Sequence, residues 1–279
     1  MALRYDPQPY LKKAGLPRHL LELRAVGGDA GASKDELLAA LAASQNADGS
    51  FRGGRADSGP GSVPATAATV DVLWRAGAEE VAARGAAWLA AMPRPDGGFA
   101  ENPALAATLK PEWAWFSAEN AVTWITGEAM LGLAAVGNHD AVVNRARNLL
   151  LRARNRDGGW PGQVSPSYPD RTDLWTIPGV VRGLLAAGIA ANHDVFAGLG
   201  GALQRQKDHW RNPVENPLPA LLALGRRTSD AEVQECVKLL LDAQNADGGW
   251  PYLAGGESHP NPTTDAVTLL VRYRLAALA

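Results

Sequence analysis

The sequence predicts an all-α protein, an (α/α)6 toroid built from helix–loop–helix repeats. Three observations predict it. A loop motif returns about every 50 residues, an interval that marks repeat architectures. Its copies read Gln45-Asn46-Ala47-Asp48-Gly49-Ser50-Phe51, Pro95-Asp96-Gly97-Gly98-Phe99, Asn155-Arg156-Asp157-Gly158-Gly159-Trp160 and Gln244-Asn245-Ala246-Asp247-Gly248-Gly249-Trp250, with a worn copy at Gln206-Lys207-Asp208-His209-Trp210. Most copies follow a segment rich in Ala and Leu with helical periodicity. Another such segment comes after each, and several of these close on a glycine.

The elements follow in order. An N-terminal helix is expected near Leu16 to Ala25, then Glu36 to Ser44 before the loop at 45–51. Ala65 to Ala76 closes on Gly77, and Val81 to Met92 leads into the loop at 94–99. Ala118 to Val136 closes on Gly137, and Ala141 to Ala153 precedes the loop at 155–160. Thr176 to Ala187 closes on Gly188, the worn loop spans 206–210, and Leu218 to Leu224 closes on Gly225. Ala231 to Ala243 carries Val233, Val237, Leu240 and Leu241 on one face, then the loop at 244–250 and a last helix, Thr264 to Leu278. The closing glycines fit left-handed helix caps, and Asp-Gly is a strong turn signal. Small residues on the second helices, including Gly127, Gly132, Gly179 and Gly183, permit close packing. One repeat cannot bury its apolar face, so the repeats must stack. A single domain over residues 1–279, closing a ring of about six helix pairs, is expected; an open solenoid is the alternative. The aromatic residue of each loop keeps a similar offset from the glycines. That implies one packing slot per repeat and a stapling role rather than chemistry.

Composition narrows the function. Lys and Arg number 27 against 29 Asp and Glu in 279 residues. No basic stripe is present, which argues against a nucleic-acid partner. The only cysteine, Cys236, excludes an intrachain disulfide and a cysteine-rich metal site and suits a reducing cytoplasm. The N-terminus lacks the apolar core of a signal peptide. No run reaches the ~18 apolar residues of a membrane span. A soluble, cytoplasmic protein is expected, with contact between an apolar helix rim and a membrane surface left open.

The loops at Gln45 to Phe51 and Gln244 to Trp250 resemble the QW motifs of squalene–hopene and terpene cyclases, and the related repeats of protein prenyltransferase β subunits. The stretch from Ser258-His259-Pro260 through Thr263-Thr264-Asp265-Ala266 is similar to the family's segment leading into an inner helix. The likeness runs from about residue 34 to the last residue. It implies an α/α barrel with a central apolar cavity, which the family uses for isoprenoid chains. Full squalene-type cyclases carry two such domains and this sequence has room for one. Apolar surface left by the missing domain would favour a dimer or a partner domain.

Class II terpene cyclases protonate an alkene or epoxide and guide the carbocation past aromatic faces. The acid needs a low-dielectric pocket and hydrogen bonds that acidify its proton. The family carries it as the middle aspartate of a D-x-D-D motif at the start of an inner helix. No D-x-D-D occurs here. In Tyr168-Pro169-Asp170-Arg171-Thr172-Asp173-Leu174-Trp175-Thr176, Asp173 aligns with the first motif aspartate. Trp175 and Thr176 take the two later acidic places. The departure counts against ordinary squalene-type cyclisation and points to an unusual cyclisation, isomerisation or hydration. Asp173 and Asp170 are the candidate acids; helix N-capping is the alternative role of both.

A second dense patch runs from Glu112 to Glu128. Trp faces stabilise cations, and Trp124 and Glu128 share a helix face at i, i+4. Glu128 is therefore a third candidate catalytic residue. Trp113, Trp115, Phe116, Glu119, Trp124, Tyr168 and Trp175 are candidate substrate-binding residues. A buried aromatic cluster with carboxylates at its wet rim is the alternative.

A prenyltransferase-type zinc site needs Asp, Cys and His, and Trp175 stands where the cysteine would follow Asp173. No Walker loop, G-x-S-x-G or strand-borne G-x-G-x-x-G is present. Neither a metal nor another cofactor is expected. The expected function is a terpene-cyclase-like lyase or isomerase acting on an isoprenoid or similar apolar small molecule. Two other readings stay open. One is a non-catalytic toroid binding a lipid, a peptide or a partner protein. The other is a glycan lyase or hydrolase, recasting Glu112 with Glu119, or Asp170 with Asp173, as paired carboxylates.

Overall fold

The computed structural model describes residues 2–53, 59–107 and 119–278. The chain forms two compact units: residues up to Leu41 with those from Gln204 onward, and Ala42–Leu203.

The first unit holds α1 (Gln8–Ala14), α2 (Pro17–Ala25), most of α3 (Lys34–Ala43), α11 (Leu218–Ala223), α12 (Ala231–Asp242) and α13 (Pro260–Arg272). Helix α13 packs on α2 and α1, and α11 packs on α12. The face read from sequence on α12 is buried: Val233, Val237, Leu240 and Leu241 all lie in the core. The short strands β3 (Trp250–Pro251) and β4 (Ser258–His259) pair antiparallel ahead of α13.

The second unit holds α4 (Val63–Arg75), α5 (Glu79–Ala90), α6 (Pro103–Ala106), α7 (Thr123–Val136), α8 (Asp140–Arg152) and α9 (Ile177–Ala186), and α10 (Leu199–Gln204) ends at its boundary. Helix α7 packs against α4, α5, α8 and α9. It can approach α9 closely because glycines face each other: a Cβ on Gly127 would collide with the Gly179 carbonyl. Strands β1 (Ala121–Val122) and β2 (Gln163–Val164) also pair antiparallel. This pairing corrects the helix expected over Ala118 to Val136, which begins only at Thr123. The last helix differs too. It starts earlier, at Pro260, with the His259 ring accepting the Asn261 N–H, and stops at Arg272. The closing glycines Gly77, Gly137, Gly188 and Gly225 all have positive φ, of 85°, 78°, 84° and 80°, but Gly137, with ψ of −174°, lies outside the left-handed helical region.

The four well-preserved loops share one construction. Gly49, Gly97, Gly158 and Gly248 have φ of 92°, 92°, 102° and 87°, and each donates its N–H to the carbonyl three residues back. Asp48, Asp96, Asp157 and Asp247 each accept the N–H two residues on. These aspartates therefore build turns. The aromatics Phe51, Phe99, Trp160 and Trp250 are all buried. Trp160 Nε1 donates to the Leu150 carbonyl at 2.8 Å, and Trp250 Nε1 to that of Leu240 at 2.7 Å. Threonines at the helix starts complete the staple. Thr66, Thr126 and Thr263 Oγ1 accept the N–H groups of Phe51, Phe99 and Trp250 at 2.9, 2.9 and 2.8 Å. The worn copy keeps the buried aromatic, Trp210, on a short 3₁₀ turn over Lys207–His209.

Candidate functional site

In the second unit, the close approach of α7 and α9 brings together several of the residues singled out by sequence. Asp173 follows the Trp160 loop and leads into the 3₁₀ turn Leu174–Thr176 that opens α9. Its N–H donates to the Trp160 carbonyl at 2.9 Å. Its side chain does not cap the turn. Instead, Asp173 Oδ2 accepts the Gly162 N–H at 2.7 Å and the Tyr168 hydroxyl at 2.8 Å. Gly162 has to be glycine for this. A Cβ there would lie 2.6 Å from the Tyr168 hydroxyl, 2.8 Å from the Trp175 ring and 2.9 Å from Asp173 Oδ2.

Burial, and then the hydrogen bond to Asp173, push the Tyr168 phenol up to about 12. It therefore keeps its proton and remains a donor to the carboxyl. Trp175 meets Trp124 edge to face, with centroids 6.3 Å apart and planes at 69°. One turn along α7, Glu128 Oε1 lies 3.5 Å from Arg182 on α9; the Glu128 side chain is 19% exposed and that of Arg182 42%. Asp173 is thus bonded to Tyr168, Trp175 two residues on meets Trp124, and Glu128 lies one turn along α7 from Trp124.

The remaining candidates lie elsewhere or cannot be placed. Asp170 is exposed, accepts the Arg156 N–H at 3.3 Å and pairs with its guanidinium at 3.5 Å. Glu119 is exposed, and its carbonyl accepts from the Arg94 guanidinium. Trp113, Trp115 and Phe116 lie outside the described residues, as does Glu112. A concavity of about 390 Å³ adjoins the cluster, lined by Asn155, Gln163, Ser165, Tyr168 and Asp170 among others. Among the described residues, no three His, Cys, Asp or Glu side chains are grouped to hold a metal ion.

Two buried ionisable groups were not read from the sequence. Glu101 is 5% exposed and accepts the Ser62 hydroxyl, the Val63 N–H and the Asn102 N–H at 2.8, 2.8 and 2.7 Å. Burial pushes its carboxyl above the ordinary range, against the pull of those three donors. It closes the start of α4. The available signal was its place two residues after Phe99, where Gly162 follows Trp160. In the first unit, His19 is 3% exposed and its Nδ1 lies 2.9 Å from Thr264 Oγ1. Burial above all, then the charges of Arg18 and His259, hold it down at about 2.

No protein-family model matches the chain, and no curated protein matches it. Solved structures do. The chain is similar to the type II terpene cyclase MstE from Scytonema, with 17% identity and a TM-score of 0.62 over 93% of this chain and 87% of that one. It is similar to a protein from Actinoplanes, with 17% identity and a TM-score of 0.63 over 95% and 90%. An alpha-amylase from Clostridium perfringens shares 11% identity and a TM-score of 0.65 over 92% and 86%. MstE variants have been solved with the substrate geranylgeranyl dihydroxybenzoate and with the product merosterolic acid A. At 11–17% identity these likenesses establish the fold alone: a mostly helical chain with the α/α architecture of a terpene cyclase.

Proposed function

We propose that the protein is a terpene-cyclase-like enzyme that acts on an isoprenoid or similar apolar chain by acid-initiated carbocation chemistry. The observation that carries this reading is the Asp173 carboxyl. Two donors meet its Oδ2, and it stands beside the Trp175–Trp124 pair in a chain with a terpene-cyclase fold. In this reading a proton on Oδ1 passes to an alkene carbon, whose π pair forms the new C–H bond. The Gly162 N–H and Tyr168 hydroxyl stabilise the carboxylate left behind, because donors to the charged form lower the cost of losing the proton. The cation then faces the Trp175 and Trp124 rings, whose quadrupoles attract it. Glu128 supplies negative charge near Trp124 and is the candidate for taking up the final proton. Asp170 is the weaker acid candidate, since an exposed carboxyl keeps water within reach of the cation.

A second reading has one observation in its favour. The amylase likeness, together with the concavity beside Tyr168 to which Asn155, Gln163, Ser165 and Asp170 contribute, supports a glycan-active enzyme. One experiment separates the two. The purified protein is incubated with linear isoprenoids, free and diphosphorylated, and in parallel with oligosaccharides, and products are read by mass spectrometry. The cyclase reading expects a cyclised or hydrated product that disappears in Asp173→Asn. That variant should still fold, because the amide oxygen can accept the same two bonds. Cleaved oligosaccharides with no isoprenoid product would overturn the cyclase reading.

A further inference from the structure

Helices α2, α4, α9 and α11 end in one motif. A glycine at positive φ donates its N–H to the carbonyl three residues back, and the next residue donates to the carbonyl five residues back. The glycines are Gly27, Gly77, Gly188 and Gly225, with φ of 87°, 85°, 84° and 80°. Helix α13 ends in the same two bonds, from Arg274 to Val271 at 3.0 Å and from Leu275 to Leu270 at 2.8 Å. Yet the residue at positive φ is here an arginine, Arg274, at 54°. A side chain in that conformation costs energy that glycine does not. Such a departure, once observed, points to a use for the side chain.

The helix end does not supply that use. The Leu269, Leu270 and Val271 carbonyls already accept backbone N–H groups, from Tyr273, Leu275 and Arg274, so no guanidinium is needed to cap them. The negative end of α13 attracts a cation, but Arg272 in the last turn provides one. Arg274 is exposed, and no carboxylate pairs with it among the described residues. It lines a concavity of about 460 Å³ in the first unit, formed where α2 and α13 end. That volume is in the range of small-molecule sites, roughly 300–1,000 Å³. Val26, Val271, Ala276 and Leu278 make its apolar wall, and among the described residues Arg274 is its one charged member.

We propose that this concavity binds an apolar chain that ends in a carboxylate, with the carboxylate paired to the Arg274 guanidinium. The planar guanidinium matches a carboxylate with two parallel hydrogen bonds. One arginine balances one negative charge, so a diphosphate would keep most of its charge uncompensated. Val26, Val271 and Leu278 are half-buried, and an apolar chain laid against them removes their remaining surface from water. The concavity shares no lining residue with the one beside Tyr168 and does not include Asp173. The inference therefore does not rest on the cyclase reading.

Isothermal titration calorimetry of the full chain tests it, with decanoate, decanol and decyltrimethylammonium as probes below their micellar concentrations. Decanoate is expected to bind the wild type, and the other two about tenfold more weakly or not at all. Arg274→Gly installs the residue of the four sister helices. Its thermal midpoint without ligand should therefore rise, while its affinity for decanoate falls about tenfold. An arginine kept only for the helix end would give the reverse, a lower midpoint with unchanged binding. Ala277 is exposed and lines the concavity, so Ala277→Trp should obstruct it and abolish binding, whatever the fate of Arg274→Gly. The proposal is overturned if decanoate does not bind, if decanol or the ammonium probe binds as tightly, or if either folded variant binds decanoate like wild type.

Discussion

His19 carries an imidazole whose protonation state is set by its surroundings. The Arg18 guanidinium only donates, and its Nη2 lies 3.2 Å from His19 Nε2. The proton is therefore on Nδ1, which donates to Thr264 Oγ1. Folding lowers its pKa from the ordinary 6.5 to about 2, so the unfolded chain binds the extra proton between those values. Stability from this group is complete above about pH 6.5 and falls as the pH drops, by about 1.4 kcal/mol per unit. Urea unfolding at pH 7.5 and 5.5 should show that loss in wild type and a flatter response in His19→Gln. At the proposed acid, Tyr168→Phe removes one of the two donors to Asp173 Oδ2. Product formation should fall by roughly 10²-fold with the fold intact; an unchanged rate would show that the phenol does not support the acid. The sequence brought Asp173, Tyr168 and Trp175 onto one short segment. It did not show that Asp173 turns away from its helix to meet Gly162, because the shape of the loop decides that contact. Nor did it show that Asp170, three residues away, would face Arg156 and solvent.

The staple and the glycine seam belong to the scale of the elements. Trp250 is fully buried and bonds the Leu240 carbonyl, so Trp250→Ala should cost about 3–5 kcal/mol in denaturant unfolding. On α7, Gly127→Ala should destabilise by about 1–3 kcal/mol, since its Cβ would meet the Gly179 backbone. Gly200, on α10, has open space around it. Gly200→Ala should be neutral or stabilising by up to about 1 kcal/mol. Equal effects of the two substitutions would refute the seam. Helical periodicity and small residues made this packing readable in advance. The short β1–β2 pairing was not readable, because Ala121 and Val122 continue a helical pattern and only their partners, Gln163 and Val164, draw them into a strand.

Over the whole chain, hydrogen bonds spanning 239 and 240 residues of sequence tie the N-terminal segment to the last loop. Gln244 Oε1 accepts the N–H groups of Arg4 and Tyr5, both at 3.1 Å, while its Nε2 donates to the Tyr5 and Gly248 carbonyls at 2.8 and 3.0 Å. Gln45 opens the first loop in the same way, but only its Nε2 bonds, to Gly49 and Val81, and its Oε1 has no partner among the described residues. At about 1 kcal/mol per net hydrogen bond, Gln244→Ala should lower stability by roughly twice as much as Gln45→Ala. Equal losses would mean that the N-terminal segment adds nothing. The sequence by itself determined the helical class, the recurring loops, the turn glycines and the buried aromatics, because each follows from local conformational preference and periodic burial. Only the tertiary structure decided what those loops touch: which Gln finds the N-terminal segment and which aspartate gathers two donors. Those outcomes depend on contacts between residues far apart in the chain, and no local preference encodes them.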